Sequence, residues 1–539
     1  MLDSFEANPP MLRLLPDLIF ATANTRPASI ALTQADRQWT YQQLAEEVAA
    51  LAAAWSDLGL RPDERVAVYL EKRPETVVAL FAASAAAGVA IPVNPALKPH
   101  QVDHILSDSG ASILVTSGPR WQQLQAIINS AKSLRAVVVT DPGTNASGTL
   151  QPIHWGTWPH VTSPPVPPRI DSDMAAILYT SGSTGLPKGV VLSHRNLVTG
   201  AISVSEYLHN TSSDRILSVL PLSFDYGLSQ ITTAFATGAE VVLLNYLLPQ
   251  DVVRAVTRHG ITGLAAVPPL WIELANLTWP DTARGTLRYI TNSGGAMPTS
   301  ALAKLREQLP ETAPYLMYGL TEAFRSTYLP PEEVDRRPGS IGKAIPNAEV
   351  QVVRGDGTPC AANEPGELVH RGPLVSLGYW QAPETTAKRF RPAPGRPTGL
   401  PLPEIAVWSG DTVYADEDGY LYFVGRHDEM IKSSGYRISP QEIEGVLDGA
   451  PGLTEAVAIG VPHHRLGEAI LVLGSVEKGP NGAHEEDLLV KCRQLLPAFM
   501  VPTAFVLGEQ PLPRNPNGKV DRAGLRHRYA AFFAEAEER

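Results

Sequence analysis

Short apolar runs alternate with longer stretches of helical spacing along the first third of the chain. These runs have the length and the β-branched content of buried strands, and they lie at 65–70, 89–93, 111–115, 135–139 and 175–179. A helix is predicted between Thr40, a good N-cap residue, and Gly59, and another begins at Pro74. The alternation of strand and helix favours an α/β fold built on a mostly parallel, doubly wound sheet.

A second alternating series follows a proline-rich stretch at 163–169. A helix is predicted near 251–260, and the apolar runs of this series lie at 216–222, 239–245, 264–268 and 287–295. We predict that both series belong to one large N-terminal domain, residues 1–427.

The pattern changes after about Glu349, where Gly and Pro become more frequent and short alternating strands appear. Segments 350–353, 366–372 and 421–426 predict a small β-rich subdomain. From Asp428 onward, two helical segments and three strand-like runs predict a small, mobile α+β C-terminal domain, residues 428–539, which has a normal size for a domain.

Composition supports a large multidomain protein. The chain has 539 residues, of which 44% are hydrophobic, so more than one domain and a large core are expected. A formal net charge of −11 argues against a broad nucleic-acid surface. The two cysteines, Cys360 and Cys492, form no CxxC motif and no Cys/His cluster, which argues against a disulfide framework or a zinc site.

The N-terminal segment has acidic residues and prolines where a signal peptide needs a basic start and an unbroken apolar core. No apolar run approaches the ~20 residues of a membrane-spanning helix. We therefore expect a cytoplasmic protein with neither a membrane span nor a nucleic-acid partner.

The most informative segment is TSGSTGLPKG at 180–189. It follows the apolar run at 175–179, so it lies at the carboxyl end of a predicted strand, where open α/β sheets bind ligands. Its glycines allow the backbone to approach a ligand closely, its N–H groups and hydroxyls suit phosphate oxygens, and Lys188 adds a positive charge. No G-K-[ST] closes the loop, so it is not a Walker A motif.

Two further segments carry candidate chemistry in the N-terminal region. MYGLTEA at 317–323 offers the hydroxyl of Thr321 to a phosphate and the carboxylate of Glu322 to Mg²⁺, which prefers a few carboxylates together with nucleotide phosphates. SGGA at 293–296 follows an apolar run, and its glycines allow a flat ring to lie against the backbone.

Later motifs complete the set. Asp411 and Arg426 bracket a predicted hairpin, GRHDEMIKSSGYRISPQEIE follows at 425–444, and PRNPNGKVDR at 513–522 presents Lys519 on a rigid loop. In this order the motifs resemble the adenylate-forming superfamily of acyl-CoA synthetases, aryl-CoA ligases, luciferases and nonribosomal adenylation domains. The chain is similar to stand-alone acyl-CoA ligases of the kind associated with bacterial exosortase gene sets.

The resemblance implies a nucleotide site with a defined role for several residues. Thr321 would contact the α-phosphate, Glu322 would hold the metal, and Asp411 would accept hydrogen bonds from the ribose hydroxyls. The whole ATP and AMP site would comprise Thr180, Ser181, Gly182, Ser183, Thr184, Gly185, Lys188, Gly294, Gly295, Ala296, Tyr318, Gly319, Thr321, Asp411 and Arg426.

The resemblance also implies movement between two domains. Asp428 occupies the hinge position, around which the C-terminal domain turns between an adenylating pose and a thioester-forming pose. Lys519 would bridge the substrate carboxylate and the α-phosphate in the first pose. Lys432 and Gly435 lie on the loop that would face the active site in the second pose.

One segment, LPLSFDYGLSQ, departs from the His-containing segment of many acyl ligases. Its Phe224-Asp225 pair is similar to that of amino-acid-adenylating domains, in which the Asp binds the substrate ammonium. Asp225 therefore either recognises an amino group or caps a helix that starts at Tyr226. Arg325 either neutralises a second acidic group on the substrate or pairs with a nearby carboxylate. With Ser293, these residues form the predicted acyl pocket.

We predict an AMP-forming acid–thiol ligase that uses ATP, Mg²⁺ and coenzyme A to convert a carboxylic acid first to acyl-AMP and then to a thioester. The alternative is a free-standing amino-acid adenylation enzyme that loads a separate acyl or peptidyl carrier protein. A third hypothesis is a binding or regulatory protein that has lost turnover, but the presence of Lys188, Glu322, Asp411 and Lys519 argues against it.

Overall fold

The structure is a computed structural model of this chain, and it describes residues 12–125, 131–141, 152–158, 168–180, 187–397, 399, 401–426, 430–477, 479, 482–514 and 520–536. In that described part, no helix combines the length and the apolar character needed to cross a bilayer.

Helices and strands alternate in the first series. In chain order the elements are α1 (Asp17–Thr25), β1 (Ile30–Gln34), β2 (Arg37–Thr40), α2 (Tyr41–Asp57), β3 (Arg65–Tyr69), α3 (Pro74–Ala85), β4 (Val89–Pro92), α4 (Pro99–Ser109), β5 (Ile113–Thr116), α5 (Gly118–Leu124), β6 (Ala136–Val139) and β7 (Ile153–His154). The Thr40 hydroxyl accepts a hydrogen bond from the Gln43 N–H, and the Gln43 side chain accepts one from the Thr40 N–H. This capping box starts α2 where the sequence predicts it.

The second series also alternates. Its elements are β8 (Met174–Thr180), β9 (Lys188–Ser193), α6 (His194–Tyr207), β10 (Arg215–Ser218), α7 (Asp225–Thr237), β11 (Glu240–Leu243), α8 (Pro249–His259), β12 (Gly263–Ala266), α9 (Pro268–Ala275), α10 (Asp281–Arg284), β13 (Tyr289–Asn292), α11 (Thr299–Gln308) and β14 (Ala313–Tyr318). Gly260, with φ +59°, ends α8 in the left-handed conformation that glycine adopts readily.

Strands dominate the remainder. The elements are β15 (Thr327–Leu329), β16 (Ser340–Ala344), β17 (Glu349–Val353), β18 (Gly366–Arg371), α12 (Pro383–Arg389), β19 (Phe390–Pro392), β20 (Ile405–Ala415), β21 (Leu421–Arg426), β22 (Ile431–Ser433), β23 (Tyr436–Ile438), α13 (Pro440–Leu447), β24 (Leu453–His463), β25 (Gly467–Val476), α14 (Glu485–Leu495), β26 (Ala504–Gly508), α15 (Arg522–Arg528) and α16 (Phe532–Ala536).

Two sheets organise the described residues before 427. One has the order β7-β6-β5-β3-β4-β8-β9 and is parallel except for the β8–β9 pair. The other contains the parallel strands β1, β11, β10, β12, β13 and β14 and continues through antiparallel pairs into the β-rich region. The predicted α/β fold is confirmed. The antiparallel strands of the β-rich region begin at Thr327, before the change that was expected after about Glu349, and β16 joins β15 to β21.

Helices from both series pack together into one core. Phe81 of α3 lies edge-on to Phe235 of α7, with ring centroids 5.5 Å apart, and Tyr41 of α2 meets the same ring at 5.9 Å. All three rings are buried, and the cluster around them includes residues of both sheets. This shared core holds the two sheets together.

The C-terminal part has its own sheet, with the order β23-β22-β25-β24 and β26 parallel to β25. Helices α13 and α14 pack on it, and their contacts include Ile443, Leu447, Leu488 and the buried thiol of Cys492. This arrangement is the α+β unit that the sequence predicts after residue 428.

Candidate active site

A cavity of about 190 Å³ lies where the carboxyl ends of parallel strands from both large sheets meet. One wall is formed by residues at or just beyond the ends of those strands, among them Asn94, Thr180, Leu220, Val267, Ser293 and Gly319. The opposite wall comes from the C-terminal part and includes Lys432, Gly435, Tyr436, Glu442, Phe499 and Met500. Thr180, Ser293, Gly319, Lys432 and Gly435, predicted site residues from separate motifs, therefore line one cavity.

The turn after β14 presents Thr321 and Glu322 to the cavity. It is a short 3-10 turn that ends at Phe324, whose φ of +55° is unusual for a bulky side chain. The buried Glu322 carboxylate accepts a hydrogen bond from the Tyr379 hydroxyl at 2.6 Å, and the Glu322 backbone carbonyl accepts one from the Ser376 N–H. These contacts hold the carboxylate in the cavity wall.

Tyr318 and Asp411 connect two motifs that are 93 residues apart in sequence. The Tyr318 hydroxyl donates a hydrogen bond to the Asp411 carboxylate, which is 2% exposed. Asp411 lies opposite Arg426 in the β20–β21 pair, so the predicted hairpin is present. Tyr318 and Asp411 are not among the lining residues, but Gly319 is.

The SGGA segment contributes part of the wall. Ser293 and Gly294 line the cavity, and Gly294 has a φ of +79° that favours glycine. The side-chain amide of Asn292 donates to the Gly295 carbonyl at 2.9 Å, which fixes the turn. Gly295 and Ala296 follow the lining residues but do not themselves line the cavity.

Thr180 and Lys188 face each other across the β8–β9 pair and mark the two ends of the candidate phosphate loop. Burial lowers the pKa of Lys188, and the nearby cations Arg437 and Arg389 lower it further, whereas Glu322 opposes this shift. A group of cations beside one carboxylate is an environment that suits a polyanionic ligand.

Some predicted site residues lie outside the described part of the chain: Ser181, Gly182, Ser183, Thr184, Gly185, the hinge candidate Asp428 and the lysine candidate Lys519. For Arg426 the structure describes only the backbone pairing with Asp411.

The hairpin of β22 and β23 brings its tip to the first wall of the cavity. Ser434 and Gly435 form the two-residue turn, and their φ values of +53° and +79° are those of a type I′ turn. A Cβ atom on Gly435 would lie 2.9 Å from the Val267 side chain. Glycine therefore allows the hairpin to approach the end of β12 this closely.

Aromatic contacts hold this hairpin in the cavity. Tyr436 stacks on Phe499 with a centroid distance of 3.7 Å and meets Phe224 edge-on at 5.1 Å. The Lys432 ammonium lies 5.3 Å from the centre of the Phe423 ring. Lys432 and Gly435, predicted to face the active site together, both line the cavity.

Asp225 and Arg325 face each other in the predicted acyl pocket. Nη1 of Arg325 is 3.6 Å from Oδ2 of Asp225, and the guanidinium lies 4.7 Å from the centre of the Tyr226 ring. Asp225 begins α7, after Phe224 as N-cap, and its Oδ1 accepts a hydrogen bond from the Tyr226 N–H at 2.8 Å. Burial raises the pKa of Asp225, while the Arg325 charge opposes that rise. Of the two alternatives for Arg325, the structure shows a nearby carboxylate, that of Asp225.

Sequence reasoning missed Tyr379, Arg389 and Tyr436. Tyr379 and Arg389 are brought to Glu322 and Lys188 by tertiary packing, so no local pattern marks them. Tyr436 lies directly after Gly435, and an aromatic residue in a conspicuous glycine motif was a usable signal.

A metal ion at this site would depend on few protein ligands. In the part of the chain that the structure describes, no cluster of three or more His, Cys, Asp or Glu side chains is arranged to hold a metal ion. A single carboxylate such as Glu322 nevertheless fits Mg²⁺, because that ion is usually held by one or two carboxylates together with substrate phosphates and water.

The AMP-binding enzyme family model matches residues 19–380, and the model of the AMP-binding enzyme C-terminal domain matches residues 442–519. The chain belongs to this family. The predicted adenylate-forming superfamily is thereby confirmed, and so is the enzyme class, that of AMP-forming acyl-CoA synthetases and ligases.

The proteins similar to this chain include CoA ligases or synthetases and a subunit of a gramicidin synthase. The chain is 29% identical to a long-chain-fatty-acid–CoA ligase of Escherichia coli O157:H7, with 97% of this chain and 95% of that protein covered. It is 29% identical to a linear gramicidin synthase protein of Brevibacillus parabrevis, where 93% of this chain matches 9% of that protein. A solved structure of o-succinylbenzoate CoA synthetase from Bacillus subtilis aligns with a TM-score of 0.80 and 26% identity, over 95% of this chain and 98% of that one.

Proposed function

We propose that this enzyme is an acid–coenzyme A ligase that works in two half-reactions. A substrate carboxylate oxygen attacks the α-phosphorus of ATP, pyrophosphate leaves, and acyl-AMP forms. The thiol of coenzyme A then attacks the acyl carbon and releases AMP. The protein contributes mainly positioning and charge stabilisation in both steps.

The observation that carries the proposal is the composition of the cavity. Thr321 and Glu322 form part of one wall, and the Gly435 hairpin of the C-terminal part forms part of the other. This arrangement corresponds to the pose expected for thioester formation, in which Lys432 and Gly435 face the active site. We assign Asp428 as the hinge and residues 428–539 as the moving domain on the same basis.

The same cavity would also have to admit the thiol. Its lining includes Asn94 and Gln101 on the N-terminal side and Phe499 and Met500 on the C-terminal side. We assign the space beside these residues to the thiol-bearing arm of coenzyme A.

The nucleotide roles follow from the motifs and their surroundings. We assign Thr321 to the α-phosphate, Lys188 to the outer phosphates and Asp411 to the ribose hydroxyls. Glu322 would hold Mg²⁺, which when bound neutralises charge on the phosphates. Lys519 would stabilise the charge that develops at phosphorus during adenylation.

The thiol source separates this proposal from its alternative. The likeness to the stand-alone Escherichia coli ligase extends over nearly the full length of both chains, which favours coenzyme A. The likeness to one segment of a gramicidin synthase keeps open a carrier-protein phosphopantetheine as the acceptor.

A panel of carboxylic acids should be tested by ATP–pyrophosphate exchange and then by thioester formation with coenzyme A or a phosphopantetheinylated carrier protein. We expect acid-dependent exchange and an acyl-CoA product. Exchange followed by transfer only to the carrier would support the alternative. If no acid supports ATP–pyrophosphate exchange, both the coenzyme A ligase and the carrier-loading enzyme are contradicted.

A further inference from the structure

Two cavities meet at Arg325. The main cavity shares Tyr226 and Arg325 with a smaller cavity of about 30 Å³ beside α7. The smaller cavity has room for on the order of one or two water molecules. An acid that reaches Arg325 from Thr321 therefore finds space for only a small group in the cavity beyond Arg325.

Arg325 is a buried cation with unfilled hydrogen-bond donors. The residue is 2% exposed, and its Nε and Nη2 have no hydrogen-bond partner among the described residues. Its Nη1 lies 3.6 Å from Asp225, which is within ion-pair range but too long for a hydrogen bond. Buried charged donors without acceptors are unfavourable, so a ligand that supplies acceptors at this point is bound more tightly.

The two unpaired N–H donors of Arg325 have the geometry that binds a carboxylate. Nε–H and Nη2–H of Arg325 lie on the same edge of the planar guanidinium, and such an edge binds a carboxylate through two parallel hydrogen bonds. The carboxylate that is already nearby, Asp225, approaches the other nitrogen. The Nε–Nη2 edge of the guanidinium therefore has no carboxylate partner among the described residues.

Gln230 adds a further polar group to the same region. It lies one helical turn after Tyr226 on α7, so the two side chains share a face of the helix. It is 6% exposed, lines the smaller cavity, and neither its amide oxygen nor its amide nitrogen has a partner in the described part of the chain. A purely apolar substrate would leave this amide unsatisfied.

We propose that the acid activated by this enzyme carries a second carboxylate on a short spacer, and that Arg325 is the specificity-determining residue that binds it, with Gln230 as an additional donor. The inference rests on the proposed function, because it names the class of acid that the same site adenylates. It competes with the amino-acid hypothesis for Asp225, and the first test separates the two because it includes amino acids.

The first test uses the wild-type enzyme and needs no variant. Short dicarboxylic acids, their monomethyl esters and monocarboxylic acids of equal length are compared by kcat/KM in ATP–pyrophosphate exchange. We expect a preference of about 10- to 150-fold for the diacid over its matched monoacid, because hydrogen bonds to a charged group have that effect. Preference for a monoacid, a half-ester or an amino acid would overturn the proposal.

The second test follows the diacid-to-monoacid ratio in variants with verified thermal melting. Arg325→Gln should remove most of the preference, whereas Asp225→Asn should preserve or increase it, because the competing carboxylate is gone. Arg306→Gln, which removes an exposed ion pair with Asp335, is the matched control and should leave the ratio unchanged.

An unchanged ratio in a folded Arg325→Gln enzyme would overturn the assignment. If that variant does not fold, the wild-type and Asp225→Asn ratios decide the question. Absence of exchange with any acid would instead contradict the proposed function itself, and the inference with it.

Discussion

At the scale of single residues, the cavity depends on a few carboxylates placed among cations. Burial lowers the pKa of Lys188, Arg437 and Arg389 lower it further, and Glu322 lies close enough to oppose this shift. Its carboxylate is fixed by the Tyr379 hydroxyl. The charge of Glu322, rather than its hydrogen bond to Tyr379, is the property that its proposed role in metal binding requires.

Glu322→Gln should raise the Mg²⁺ concentration needed for half-maximal adenylation by about tenfold or more. Loss of even an indirect partner of a metal ligand typically lowers metal affinity by ~10–100-fold, and a neutral amide is a poorer ligand for Mg²⁺. Tyr379→Phe is the control, because it removes the hydrogen bond and keeps the charge. An unchanged Mg²⁺ dependence in Glu322→Gln would exclude the metal role.

Single residues also show how far the sequence could predict the site. Thr321, Glu322 and Gly294 stand in motifs whose order is informative, and all three line the cavity. The contact between Asp225 and Arg325 joins residues 100 positions apart in sequence, so the sequence could only leave their roles as alternatives.

At the scale of secondary structure, the hairpin of β22 and β23 is the element that completes the cavity. Its type I′ turn is a local property of Ser434 and Gly435, but its contact with Val267 depends on how the C-terminal part is docked. A change at Gly435 should therefore affect the step that uses this docked arrangement.

Gly435→Ala should slow thioester formation from supplied acyl-AMP by about tenfold or more and leave adenylation largely intact. The new Cβ would lie 2.9 Å from Val267, and overpacking of this kind costs roughly 1–3 kcal/mol. Gly449→Ala is the matched control, because Gly449 also has positive φ but a Cβ atom added there would have no neighbouring atom within 4 Å. If Gly435→Ala and Gly449→Ala slow thioester formation equally, the cause is backbone strain at a positive φ, and the contact with Val267 has no role.

Elements set by local signals were predictable, whereas their assembly was not. The capping box of Thr40 and Gln43 starts α2, and Gly260 ends α8 where expected. The large sheet continues through β16 because β16 pairs with both β15 and β21. Strand β21 begins at residue 421, which is 77 positions after β16 ends at residue 344. Periodicity along the chain carries no information about such long-range pairing.

At the scale of the whole molecule, a partly buried hydrogen bond links the two parts. Gln101 of α4 donates to the Glu442 carboxylate of α13 at 2.6 Å, and burial raises the pKa of Glu442 to about 7. A carboxyl group exposed by undocking has a pKa of about 4.3. The docked arrangement therefore binds the proton more tightly than the undocked one does.

The docking of the C-terminal part on the N-terminal part should weaken as pH rises through about 7. The proton is favoured in the docked state, so its stabilising effect is fully present below about pH 4.3 and is lost as pH increases to 7 and above. We expect the ratio of the wild-type rate to the Glu442→Gln rate of thioester formation from acyl-AMP to fall by up to about tenfold between pH ~6 and pH ~8. A ratio of the two rates that is independent of pH would exclude this linkage.

The proposed function requires one cavity to serve two half-reactions through two poses of the C-terminal part. The most direct measurement compares the single-turnover rates of both half-reactions in Lys519→Ala with those in Gly435→Ala. Lys519→Ala should lower adenylation by ~10²–10³-fold, because a preorganised charge is removed from the first step, and should spare thioester formation from supplied acyl-AMP. Gly435→Ala should show the opposite pattern. Equal losses in both half-reactions for both variants would contradict the two-pose account.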